Sequence, residues 1–380
     1  YYSFLRSVDC FDVSEMMKKI LIFLLASVIA SAFQIVCFAE NANDDYGEAV
    51  GEELFSSFDK ETKKVLDLFG IDGIESAGTF DFSSESLSRY FKINLKEKLL
   101  SAVKMFFEFI SLLMIASLSK LLVLKEKSED AFSMMSVCVF SLVAAKKTYD
   151  ILNVAVTAVG SVGKITAAFV PVYAGIVAVS GSPASAGVYN TLTLFLAEGV
   201  LYLFTKAVVP FSGAVLCLSI AFSMSKVVNC NRFLSAAGKI SSIGLGFFSA
   251  LFTGFLSFRG VLASAADSAG TKGIRFLVSN LIPVVGSAMS DAYSAFYSSI
   301  NLIKGSVAVV GICAVFFCCF PAVAELFSYY ILLSALSFAA EVIGENNVSS
   351  LFKGFSLAVK VLLLVLVYEL FIVIISTGLM

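Results

Sequence analysis

What most limits this chain is a succession of apolar runs that begins near residue 99 and continues to the C-terminus. The run at 306–326, SVAVVGICAVFFCCFPAVAEL, carries one charged side chain, Glu325. About 20 such residues in a helix cross the ~30 Å hydrocarbon core of a bilayer. Comparable runs lie at 105–124, 131–145, 165–180, 190–209, 211–228, 243–263, 327–343 and 356–377. The reading is an all-α, polytopic helical membrane protein with seven to nine transmembrane segments; 150–164 and 271–300 are the stretches that leave the count open. Composition agrees, since 58% hydrophobic and 15% charged residues lie outside the range of soluble domains.

One stretch breaks the pattern: 271–292, TKGIRFLVSNLIPVVGSAMSDA. Pro283 removes a backbone donor and Gly286 admits unusual dihedrals, so a helix should break or kink here, with Asn280 and Asp291 on either side. Two readings stand side by side: an extramembrane loop, or a re-entrant helix lining a cavity, where protein or water satisfies the freed backbone. Residues 164–187 repeat the punctuation, with Pro171 and Gly175 inside an apolar run and the compact turn SGSPASAG at 180–187. Pro171 precedes Pro210 by 39 residues and Pro283 precedes Pro321 by 38. Four of the five prolines in register is what an internal repeat with broken helices would leave, the device by which many transporters build a midplane site. Side-chain identity between the two units is thin, and chance register is the competing account.

The chemistry is defined largely by absences. No histidine occurs, which excludes His-based triads, imidazole relays and HExxH zinc sites. Tryptophan is missing too, so tyrosine supplies any interfacial belt. None of the eight cysteines falls between 38 and 137, and Cys318–Cys319 reads as small buried side chains. No nucleotide loop, basic cluster, cofactor motif or metal set appears, so neither an enzyme nor a nucleic-acid binder is expected. Ionisable residues within apolar runs remain as suspects, because each is costly there unless paired or facing water. Glu198 and Glu369 are the most central; Lys206, Arg259, Glu325 and Lys360 are less so. They line a conduit on one reading and hold helices together on the other.

Along the chain, residues 1–15 read as sequence upstream of the true start. A leader follows over 16–39, with Lys18 and Lys19, an apolar run and Ala39 at the expected cleavage point. Residues 40–98 hold 14 acidic and 7 basic side chains and form a short extracytoplasmic region of two amphipathic helices, too small for a self-sufficient core. Residues 99–380 form the transmembrane domain. Counting positive charge places Lys125 and Lys127 on the cytoplasmic side, whereas Lys146 and Lys147, taken as the exit of a span, fall on the wrong one.

These features resemble the stage III sporulation protein AE family of endospore-forming bacteria. The similarity covers roughly 17–380 and is most specific at NLIPVVGSAMSDA, 280–292, which follows the family's Asn-x-Ile-Pro-Val-Val-Gly-x-x-x-x-Asp-Ala pattern. The turn at Ser180-Gly181 after Pro171 is a weaker match. The resemblance implies a non-enzymatic membrane subunit of the channel complex that joins the mother cell to the engulfed forespore. It implies a seat in the mother-cell-derived membrane and partners among other membrane and extracytoplasmic subunits of that complex, with a homo-oligomer as a further arrangement. The alternative from the residues is a secondary transporter with a broken-helix site around Glu198 and Glu369.

Overall fold

The computed structural model describes residues 84–121, 126–225, 229–281, 286–378 and 380. The expected leader, the exported stretch up to residue 83 and Pro283 lie outside the described residues. Among the described residues seven α-helices follow in order: α1 Ser84–Leu121, α2 Glu126–Val179, α3 Pro183–Leu203, α4 Val209–Met224, α5 Cys230–Leu281, α6 Gly286–Ile343 and α7 Asn346–Gly378. A π-helical turn, Phe204–Val208, joins α3 to α4. Among the described residues there is no strand.

Two tight turns set the topology by one mechanism. After α2, Gly181 takes φ 86° while Ser182 N–H donates to Val177 O and Gly181 N–H to Ala178 O. After α6, Gly344 takes φ 91° while Glu345 N–H donates to Ala340 O and Gly344 N–H to Glu341 O. This pairing of a six-to-one with a five-to-two bond satisfies orphan carbonyls at a helix end and needs the left-handed conformation that glycine adopts freely. Pro183 then opens α3, where its missing donor costs nothing. Both turns reverse the chain, giving the antiparallel pairs α2–α3 and α6–α7.

The α6–α7 pair is the centre of the bundle. In α6 and α7, 83% and 67% of the most apolar window is buried, against 17% in α1 and 11% in α5. Close approach has visible causes. A side chain on Gly354 of α7 would collide with Ser219 of α4, and one on Gly311 of α6 with the Phe169 ring of α2. Small residues of this kind let helices approach closely where lipid offers little hydrophobic drive. At one end, Phe109, Phe140 and Phe352 lock α1, α2 and α7 together, with ring centroids 5.6–6.3 Å apart.

Six helical stretches are long and apolar enough to cross a membrane, among the described residues, so the chain is a helical membrane protein; the expected seven to nine are not confirmed. Three of the stretches, Ala131–Val179, Pro183–Met224 and Ile303–Ile343, run 49, 42 and 41 residues where paired spans were expected. The reason is energetic. A break in a helix frees four acceptors on one side and four donors on the other, each costly in an apolar setting, whereas running through a proline forfeits one bond. Pro171 and Pro321 accordingly lie inside continuous helices. Pro210 opens α4 directly after the π-turn. The two proline pairs therefore do not mark matching interruptions, and the proposed repeat of broken helices finds no counterpart at Pro171 or Pro321.

Gly354→Ala should drive a methyl into Ser219 and lower stability by about 1–3 kcal/mol. Thermal unfolding of the detergent-solubilised chain measures this; an unchanged midpoint would mean that α4 and α7 do not meet at this point.

Candidate functional site

Buried polar groups in an apolar bundle mark where function or specificity resides, because each must be satisfied or carry a cost. Three sets of buried or partly buried polar side chains stand out among the described residues. Lys98 Nζ of α1 donates to Glu325 Oε2 of α6 at 2.6 Å, and Lys147 Nζ of α2 lies 3.6 Å from Glu325 Oε1. One turn along α6, the Tyr329 hydroxyl meets Thr148 Oγ1 at 3.0 Å. This knot ties three helices. It also accounts for the misfit in the charge count, since Lys146 and Lys147 lie within a continuous helix rather than at a loop.

The second group is a seam of hydroxyls between α3 and α7. Thr193 and Ser376 approach to 2.5 Å, and Tyr189 and Thr377 to 3.1 Å. Tyr189 also packs edge-on to Tyr173 at 5.3 Å, which brings in α2. Each pair joins two buried hydroxyls across the two helices.

Glu369 is the third. It sits on α7 two turns before Ser376, fully buried, and neither carboxylate oxygen has a hydrogen-bond partner among the described residues. Asn190 Oδ1 and the hydroxyls of Ser212 and Ser349 share this condition. Two glutamates on adjacent helices thus occupy opposite states: Glu325 holds two lysines, and Glu369 holds none.

The residues singled out from sequence separate widely. Glu369 is at the core, while Glu198 is exposed on α3, so the two do not form one site. Pro171 and Gly175 are exposed on α2, and a side chain on Gly175 would meet nothing within 4 Å. Asn280 lies in the last turn of α5, Gly286 opens α6 and Asp291 lies in its second turn. Pro283 falls between these helix ends, outside the described residues. Sequence reasoning missed the Lys98–Glu325–Lys147 knot, because Lys98 was assigned to the exported stretch and Lys147 to a loop. The hydroxyl seam left no signal in composition, since serine and threonine occur throughout these helices.

A family model for stage III sporulation protein AE matches residues 72–380. The stage III sporulation protein AE of Bacillus subtilis (strain 168) is 26% identical over 190 residues, covering 50% of this chain and 47% of that protein. The chain thus matches about half the length of that curated relative. No solved structure matches.

An unpaired buried carboxylate works against folding, so Glu369→Leu should hold or raise stability, by up to about 3 kcal/mol. The thermal unfolding midpoint in detergent reads this directly. A marked fall would reveal a partner for Glu369.

Proposed function

This chain belongs to the stage III sporulation protein AE family, and from that premise we propose that it is an integral membrane subunit of the sporulation channel complex linking mother cell and forespore. The observation that carries this reading is the extent of the match: residues 72–380 contain every described helix, so the family's role falls on the membrane bundle itself. In this reading residues 16–39 direct export. Residues 40–98 then lie outside the cytoplasm, where the apolar positions Leu54, Phe58, Val65 and Phe69 meet an extracytoplasmic subunit. The bundle sits in the mother-cell-derived membrane around the forespore and supports late gene expression there. It acts by assembly, not by catalysis.

One observation favours a second reading. Glu369, buried and unpartnered, is the kind of intramembrane acid that transporters use. The broken-helix argument for a transporter has lost ground, because Pro171 and Pro321 do not interrupt their helices.

Deletion of the gene should leave vegetative growth normal and arrest forespore development. An affinity-tagged copy should recover other subunits of the channel complex from sporulating cells. Normal sporulation of the deletion strain would overturn the proposal. Solute uptake by the purified chain alone in liposomes, abolished by Glu369→Gln, would support the transporter instead.

A further inference from the structure

Helix α2 changes character along its length. Between 134 and 143 its exposed large side chains are Met134, Met135, Val139, Leu142 and Val143, an apolar face suited to lipid. Between 153 and 175 the exposed positions are Asn153, Thr157, Lys164, Ala167, Pro171 and Gly175. Their spacing of three, four or seven places them on one stripe, and that stripe is small and polar. Lipid is a poor neighbour for it, above all for Lys164.

The next helix presents the complementary features. The exposed stripe of α3 carries Phe195, Glu198 and Tyr202. Two contacts fix the relative height of these antiparallel helices. The Tyr173 and Tyr189 rings lie 5.3 Å apart, and a side chain on Gly163 would come within 3.6 Å of Leu201 Cδ2. Interpolating between them sets Lys164 level with Val200, about two residues or ~3 Å from Glu198, and Ala167 within about one residue of Phe195. Neither Lys164 nor Glu198 has a hydrogen-bond or ion-pair partner among the described residues. A side chain on Gly160 would meet nothing within 4 Å, so the space beside it on α2 is open.

We propose that the outward face of the α2–α3 hairpin is the twofold interface of a homodimer, its occupant a second copy of the same hairpin. Rotation about an axis parallel to the helices preserves every height, so α2 of one copy faces α3 of the other with these offsets unchanged. Lys164 meets the partner's Glu198. Phe195 enters the shallow position at Ala167. Twofold symmetry repeats each contact, as an isologous interface requires. Four helices then pack in alternating directions, the arrangement of an up-and-down bundle. Opposite charges close in height, a large side chain opposite a small one, and a face unlike the lipid-facing surface nearby all select this occupant.

The test uses the full chain in lipid nanodiscs, with mass read by light scattering across a concentration series. The expected result is a dimer for the parent chain. Lys164→Glu and Glu198→Lys should each weaken self-association by about tenfold or more, and the double reversal should restore it. Because the double variant keeps both charges, its recovery separates lost pairing from lost folding. A photoreactive residue at position 195 should crosslink to residues 160–171 of the other copy. A chain that stays monomeric at every concentration overturns the proposal, and labelling of Lys164 by a water-soluble amine reagent would then assign the face to solvent. A dimer indifferent to both single reversals, or crosslinked elsewhere, overturns it equally.

Discussion

In an apolar surrounding an unpaired peptide group has no water to turn to, and the rest of this structure follows from that cost. It explains helices of 54, 52 and 58 residues, each far beyond the ~20 needed for one crossing. The chain tolerates proline inside a helix in preference to opening a loop. At Pro210 the accommodation is visible. Val209 N–H reaches back five residues to Phe204 O, and the next residue has no N–H to place. One wide turn absorbs the mismatch and the helical direction is kept.

The same cost governs the side chains. Several buried hydroxyls bond locally to the carbonyl four residues back: Ser141 to Val137, Thr166 to Val162, Ser219 to Val215, Ser328 to Ala324. Such bonds make serine and threonine compact fillers that let helices pack closely, and they carry no specificity between helices. The cross-helix bonds are few and do different work. Thr148–Tyr329, Thr193–Ser376 and Ser334–Ser356 each join residues on different helices, at three heights in the bundle. A sliding of one helix past another by a single turn would break them, so they select the register that apolar packing alone leaves loose.

Against this, the legible and illegible parts of the sequence divide cleanly. Runs of apolar residues disclosed the helical class, because composition over twenty positions is a property of the chain and not of its partners. Glycine at 181 disclosed a turn for a similar reason: φ 86° is a local demand. Pro171 and Lys147 misled because each was judged by local cost alone. The tertiary surroundings reversed both, one through continuous backbone bonding and the other through Glu325. Glu198 and Glu369 looked alike in sequence, each a lone acid in an apolar run. Only packing separates them, with one at the surface and one at 0% exposure.

Charge pairing also brackets part of the apolar outer surface. On α6, Glu325 holds Lys98 and Lys147, and sixteen residues later Glu341 accepts from Lys353 at 2.7 Å. At ~1.5 Å per residue these two pairs stand about 24 Å apart, and Lys353–Glu341 is the more exposed of them. Between them α6 exposes Ile331 and Phe338, while α1 shows Leu100, Val103, Phe107 and Ile115 over a stretch of 22 residues that begins at Lys98. That separation is of the same order as the ~30 Å hydrocarbon thickness. The helices are longer than that separation. The surplus length of α2 beyond Lys147 carries the small, polar stripe, and α6 over 306–315 is buried without exception. The exposed surface of α2 and α3 beyond Lys147 is therefore mixed: the α2 stripe carries Asn153, Thr157 and Lys164, while Val179, Phe195 and Tyr202 are large and exposed.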